Sequence, residues 1–119
     1  MGINELKRQL EELGYTVNEI TSGVISFIFI VPLGRFKGQE LEIALQAAQF
    51  PNVPPPGILL NKNLLSNQAG GVHPTGGIHI RPIAGRNWQY WSRPFNDWAT
   101  TDRTAKTYLA FIRTLFDFI

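Results

Sequence analysis

A chain of 119 residues, 44% hydrophobic and 17% charged, is long enough for one domain with a real core and too apolar to be disordered. A formal charge of +2 is too small to mark a nucleic-acid binder by itself. The absence of cysteine excludes disulfides, thiolate nucleophiles and zinc thiolate sites together.

The N-terminus is mixed in charge and reads as a helix, not as a signal peptide. Asn4 is the expected N-cap. Ile3, Leu6, Leu10 and Leu13 recur at helical spacing, and Gly14 ends the run, which predicts an amphipathic helix over 4–13. Lys7, Arg8, Glu11 and Glu12 form its solvated face.

Residues 23–33 are rich in β-branched and aromatic residues, which predicts a strand covered on both faces. Ser26 and Pro32 interrupt the run, and it is far too short to span a bilayer. A turn is expected over 34–38. Leu41, Ile43, Leu45 and Ala47 then alternate with Glu40, Glu42, Ala44 and Gln46, the period of a half-buried strand and the second arm of a hairpin.

Prolines at 51, 54, 55 and 56 exclude the middle of a sheet, because proline has no amide hydrogen for the ladder. This stretch is expected to be an edge or a crossing loop. A short strand follows over 57–61, and the Asn- and Gly-rich residues 61–77 read as a loop. Residues 81–100 read as irregular and aromatic. Asp102 is the expected N-cap of a last helix, with Ala105, Tyr108, Leu109, Ile112, Leu115, Phe116 and Ile119 as its apolar stripe. The apolar end, Phe116, Phe118 and Ile119, suits either the core or a dimer contact. The whole is a single α+β domain over 1–119: helices on an antiparallel meander, expected in the cytoplasm.

Two motifs go further. Phe50-Pro51, followed by Pro54-Pro55, resembles the aromatic-Pro-x-x-Pro-Pro crossing of the ubiquitin-conjugating-enzyme (UBC) superfamily, which includes the RWD domains. His73-Pro74-Thr75 resembles that superfamily's His-Pro-Asn turn, with Thr75 in the Asn place. Gly77-Ile78-His79-Ile80 resembles the Gly-x-Ile-Cys-Leu segment and puts His79 where the cysteine stands. Trp91-Ser92-Arg93-Pro94 resembles the Trp-Ser-Pro element. The order and spacing of these motifs carry the resemblance, over roughly residues 4–119. The short length and dense Trp cluster look most like the divergent bacterial UBC-like families, whose genes accompany ubiquitin-like proteins and ThiF/E1-like adenylating enzymes.

The resemblance implies a ubiquitin-like protein and a ThiF/E1-like adenylating enzyme as partners, with no membrane. It implies a bracing role for His73, Pro74, Phe50, Pro51, Pro54 and Pro55. It does not supply the usual chemistry. A thiolate is accessible near neutral pH, whereas an acylated imidazole hydrolyses readily, so His79 is not expected to be a stable carrier.

Three readings of the chain therefore stand side by side. One is a conjugating-enzyme-like adaptor. A second is an oxyester carrier, with Ser92 as nucleophile and His79 as base; Thr75 is a further hydroxyl candidate. The third is an interaction module unrelated to conjugation. Trp88, Tyr90, Trp91 and Trp98, with Arg81, Arg86 and Arg93 around them, suit either a satellite core or a binding surface. His73 and His79 have no Asp or Glu between residues 43 and 96 to complete a metal site. No metal or cofactor is expected. Aromatics with arginines also suit single-stranded nucleic acid, but the chain lacks a glycine-rich RNA motif and a long basic run, so that partner is not expected.

Overall fold

The computed structural model describes residues 2–64 and 78–117. Helix α1 (Ile3–Glu12) opens the chain. Strands β1 (Asn18–Thr21), β2 (Val24–Ile30), β3 (Glu40–Gln46) and β4 (Gly57–Leu60) follow. Strands β5 (Ile78–Ile83) and β6 (Arg86–Ser92) come next, then a 3₁₀ turn (Trp98–Thr100) and helix α2 (Ala105–Asp117). The six strands form one antiparallel sheet in the order β1-β2-β3-β4-β6-β5. The expected α+β, UBC-like layout holds. The sheet departs from a plain meander at one place, where β6 inserts between β4 and β5 and leaves β5 at the edge.

One face carries the main core. Ile25, Phe27 and Phe29 of β2 stand beside Leu45, Ile43 and Leu41 of β3, then Ile58 and Leu60 of β4 and Trp91 of β6. Leu6 and Leu10 of α1, and Tyr108, Leu109, Ile112, Leu115 and Phe116 of α2, cover them. The alternation along β3 and the stripe along α2 are as the sequence predicts. Ile119 and Phe118 lie outside the described residues.

The opposite face bears a smaller cluster of Val24, Ala44, Leu59, Trp88 and Tyr90. It has no helix over it among the described residues. Consequently β2 is not covered on both faces along its length: Ile28 is 49% exposed and Ile30 63% exposed.

Local chemistry corrects both helix starts. Gly2, not Asn4, precedes α1, with φ 71° and its carbonyl accepting from the amides of Glu5 and Leu6. A Cβ there would sit 2.7 Å from the Ala48 carbonyl oxygen. For α2 the capping hydroxyl belongs to Thr104, which accepts from the Thr107 amide at 3.3 Å, the N-cap to N3 bond. Asp102 braces that cap, accepting from the Thr104 amide and from the hydroxyls of Thr104 and Thr107. Those bonds hold its carboxyl below the usual carboxylate range. Gln9 of α1 accepts from the Ala105 amide at 2.7 Å, so one helix satisfies the first N–H of the other.

The proline crossing is a loop that turns over residues 48–52 and stays outside the sheet, where the missing amide hydrogens of proline cost no ladder bond. It has few donors but keeps every carbonyl, and distant elements use several of them. Phe50 O accepts from the Gly2 amide at 2.8 Å, Pro51 O from Trp98 Nε1 at 2.7 Å, and Pro56 O from the Arg93 amide at 3.0 Å. Tyr108 Oη reaches Pro55 O at 3.5 Å. Phe50 is itself fully buried, with its ring 5.9 Å from that of Trp98.

Candidate functional site

The first part of the segment read as irregular, up to Ser92, belongs to the β5–β6 hairpin. Its turn is Ala84-Gly85, with φ 51° and φ 80° at the two central positions. Two positive φ values make the primed turn that matches strand twist. Pro82 is tolerated in β5 because β5 is an edge.

Strand register decides which candidates meet. His79 stands opposite Tyr90, and Arg81 opposite Trp88. Directly opposed residues share a face, so His79 and Arg81 lie on the open face with Trp88 and Tyr90. Ser92, two residues beyond Tyr90, shares that face and stands opposite Gly57 of β4. The hairpin thus brings His79, Arg81 and Ser92 to one side of the sheet. His79 and Ser92 are diagonal rather than opposite, and no hydrogen bond joins their side chains. His79 is exposed and Ser92 half-buried. His73, Pro74 and Thr75 lie outside the described residues.

The aromatic set divides between the faces. Trp91 belongs to the main core and Trp88 to the second cluster, both 0% exposed. Neither offers a surface to a partner. Trp91 donates its indole N–H to Gln89 Oε1 at 3.0 Å. The Trp88 indole nitrogen is buried without an acceptor among the described residues. Arg93 is also interior, 1% exposed, donating from Nη1 to the Ser92 carbonyl. Burial pulls its guanidinium below the ordinary value.

Arg81 is one member of the expected binding set that reaches the surface. Its guanidinium stacks 3.9 Å from the centre of the Tyr90 ring and touches Gln46 Oε1 at 3.5 Å. Arg86, expected with Arg81 and Arg93 around the aromatic patch, lies 4.3 Å over the Trp88 ring. It is spoken for: Nη2 donates to Glu42 Oε1 at 2.8 Å, and the Ser26 hydroxyl donates to Glu42 Oε2 at 2.8 Å. The Arg86 bond, then the Ser26 bond, hold the Glu42 carboxyl below its ordinary value against partial burial. Two arginines on aromatic rings therefore roof the second cluster. Their positions follow from the two-residue period of the hairpin once its turn is known.

A shallow apolar hollow of about 310 Å³ lies beside the crossing, lined by Gln46, Ala47, Val53, Pro54 and Pro56 among others. Among the described residues no group of three or more His, Asp or Glu gathers to hold a metal, and no helix is long and apolar enough to cross a membrane.

No curated protein and no solved structure matches the chain. The described geometry nevertheless places Phe50 and Pro51 in a crossing under the 3₁₀ turn, and puts His79 on the strand that follows the His-Pro segment. The family described as prokaryotic E2 family E matches residues 4–117, and the chain belongs to it.

Proposed function

We propose that this protein is a conjugating-enzyme-like member of a prokaryotic ubiquitin-like modification pathway, acting as an adaptor rather than as a thioester carrier. It would bind a ubiquitin-like protein, its ThiF/E1-like adenylating enzyme, or both. The observation that carries this reading is membership of an E2 family by a chain without a single cysteine. With no thiolate, the chain has no group that forms a stable, energetic acyl link near neutral pH.

Ser92 and His79 share a face, which keeps the oxyester route in view. In that route the Ser92 oxygen attacks the activated carboxyl of the modifier, His79 takes the hydroxyl proton, and AMP leaves from an acyl-adenylate, or the adenylating enzyme's thiol from a thioester. The diagonal placement and the lack of a hydrogen bond between them weigh toward the adaptor.

Intact-mass spectrometry tests the reading. The protein is incubated at neutral pH with its adenylating partner, ATP and the cognate ubiquitin-like protein. The expected result is an unchanged mass, with binding of either partner measurable by titration. A hydroxylamine-labile gain of one modifier, lost in Ser92→Ala, overturns the adaptor in favour of the hydroxyl carrier. Absence of binding to both partners removes the pathway altogether.

A further inference from the structure

Charge is distributed unevenly along this chain. Between residues 43 and 96 lie four of its eleven basic residues, Lys62, Arg81, Arg86 and Arg93, and none of its nine acids. A block of this kind has a cationic outlook that the small net charge hides. The fold then sorts its arginines. Arg93 is interior, and Arg86 is neutralised by Glu42. Arg81 faces a neutral amide and an aromatic ring, with no carboxylate against it among the described residues. The Tyr90 ring holds the guanidinium in place and so removes part of the entropy cost of using it. His79 lies two residues away on the same face, exposed.

We propose that Arg81, with His79 beside it on edge strand β5, is the docking point for an acidic segment of a partner protein, one carboxylate of which sits on the Arg81 guanidinium. The geometry favours a carboxylate over a nucleic-acid backbone. A backbone needs several free cations at phosphate spacing. Here the next arginine along the face, Arg86, is already paired with Glu42, which leaves a single cation on offer. The site stands whether or not the partner is a ubiquitin-like protein, so it survives failure of the modifier reading.

The test is an NMR titration of the full chain. The probe is a short synthetic peptide of alternating glycine and glutamate, blocked at both ends. Saturable shifts are expected at the amides of His79, Arg81 and Tyr90. Affinity should fall about tenfold in Arg81→Gln and less in Arg81→Lys, which keeps the charge but loses the planar fork. The amide spectrum of each variant reports its fold in the same experiment, and Arg81→Lys serves alone if Arg81→Gln does not fold. The proposal is overturned by absence of saturable shifts at millimolar peptide, by unchanged affinity in the variants, by equal binding of a glycine–lysine peptide, or by tighter binding of oligothymidine at the same amides.

Discussion

At the scale of single residues, two backbone positions respond in opposite ways to substitution. Gly57 begins β4 alongside β6, and a Cβ there would lie 2.1 Å from the Trp91 carbonyl oxygen. The obstacle is sheet backbone, so relief requires the β4–β6 ladder to part. Gly57→Ala is therefore expected to cost about 2–4 kcal/mol, at the severe end for a single substitution. Urea denaturation measures it, and a loss under about 0.5 kcal/mol would mean the strands have slack. Ala84 presents the reverse case. It holds φ 51° in the hairpin turn, a conformation that suits asparagine or glycine better than alanine. Ala84→Asn is expected to stabilise the chain by about 0.5–1 kcal/mol, read by the same denaturation.

The same turn shows why one element was hidden in the sequence. Asn-Gly between alternating runs signals a hairpin, but Ala-Gly does not. Trp88, Gln89, Tyr90 and Trp91 are all buried, because β6 is central and covered on both faces; the alternation that marks a half-buried strand is therefore absent. Strand β1 was invisible for the opposite reason, since only Ile20 within it is even partly covered. Where one face meets the core and the other meets water, as on β3 and α2, the periodicity was legible and correct. The candidate site was legible in part. Its positions came from motif order, whereas the division of Trp88 from Trp91, and the pairing of Arg86 with Glu42, depend on register that no local pattern contains.

Between elements, that Arg86–Glu42 pair ties the β5–β6 hairpin to β3 across the end of β4. Glu42 has a lower pKa folded than unfolded, held down first by Arg86 and then by Ser26. Its contribution is thus complete above the ordinary carboxylate range, near pH 4–5, and is lost as the pH falls through the folded value. Both side chains retain contact with solvent, 47% and 21% exposed, so the tie contributes no more than about 1 kcal/mol. Glu42→Gln should flatten that part of the acid limb of a stability-versus-pH curve and leave stability at pH 7 lower by up to this amount. An acid limb of unchanged slope in the variant would assign the dependence to other carboxyls, such as Glu5, held near pKa 2 by Arg8.

For the molecule as a whole, the proline crossing has a consequence for how opening can be observed. With prolines at four of its seven positions, residues 50–56 contribute few amide protons of their own. Its release is visible chiefly through the donors it holds: the Gly2 amide at one end of the chain, the Arg93 amide after β6, and the Trp98 indole proton before α2. These reporters are scattered across the sequence, yet all are pinned by one short strip of carbonyls. Hydrogen–deuterium exchange should therefore find them slow and closely matched in rate, as members of one cooperative unit. An indole proton that exchanges far ahead of the two amides would show that the crossing lets go of its clients one at a time.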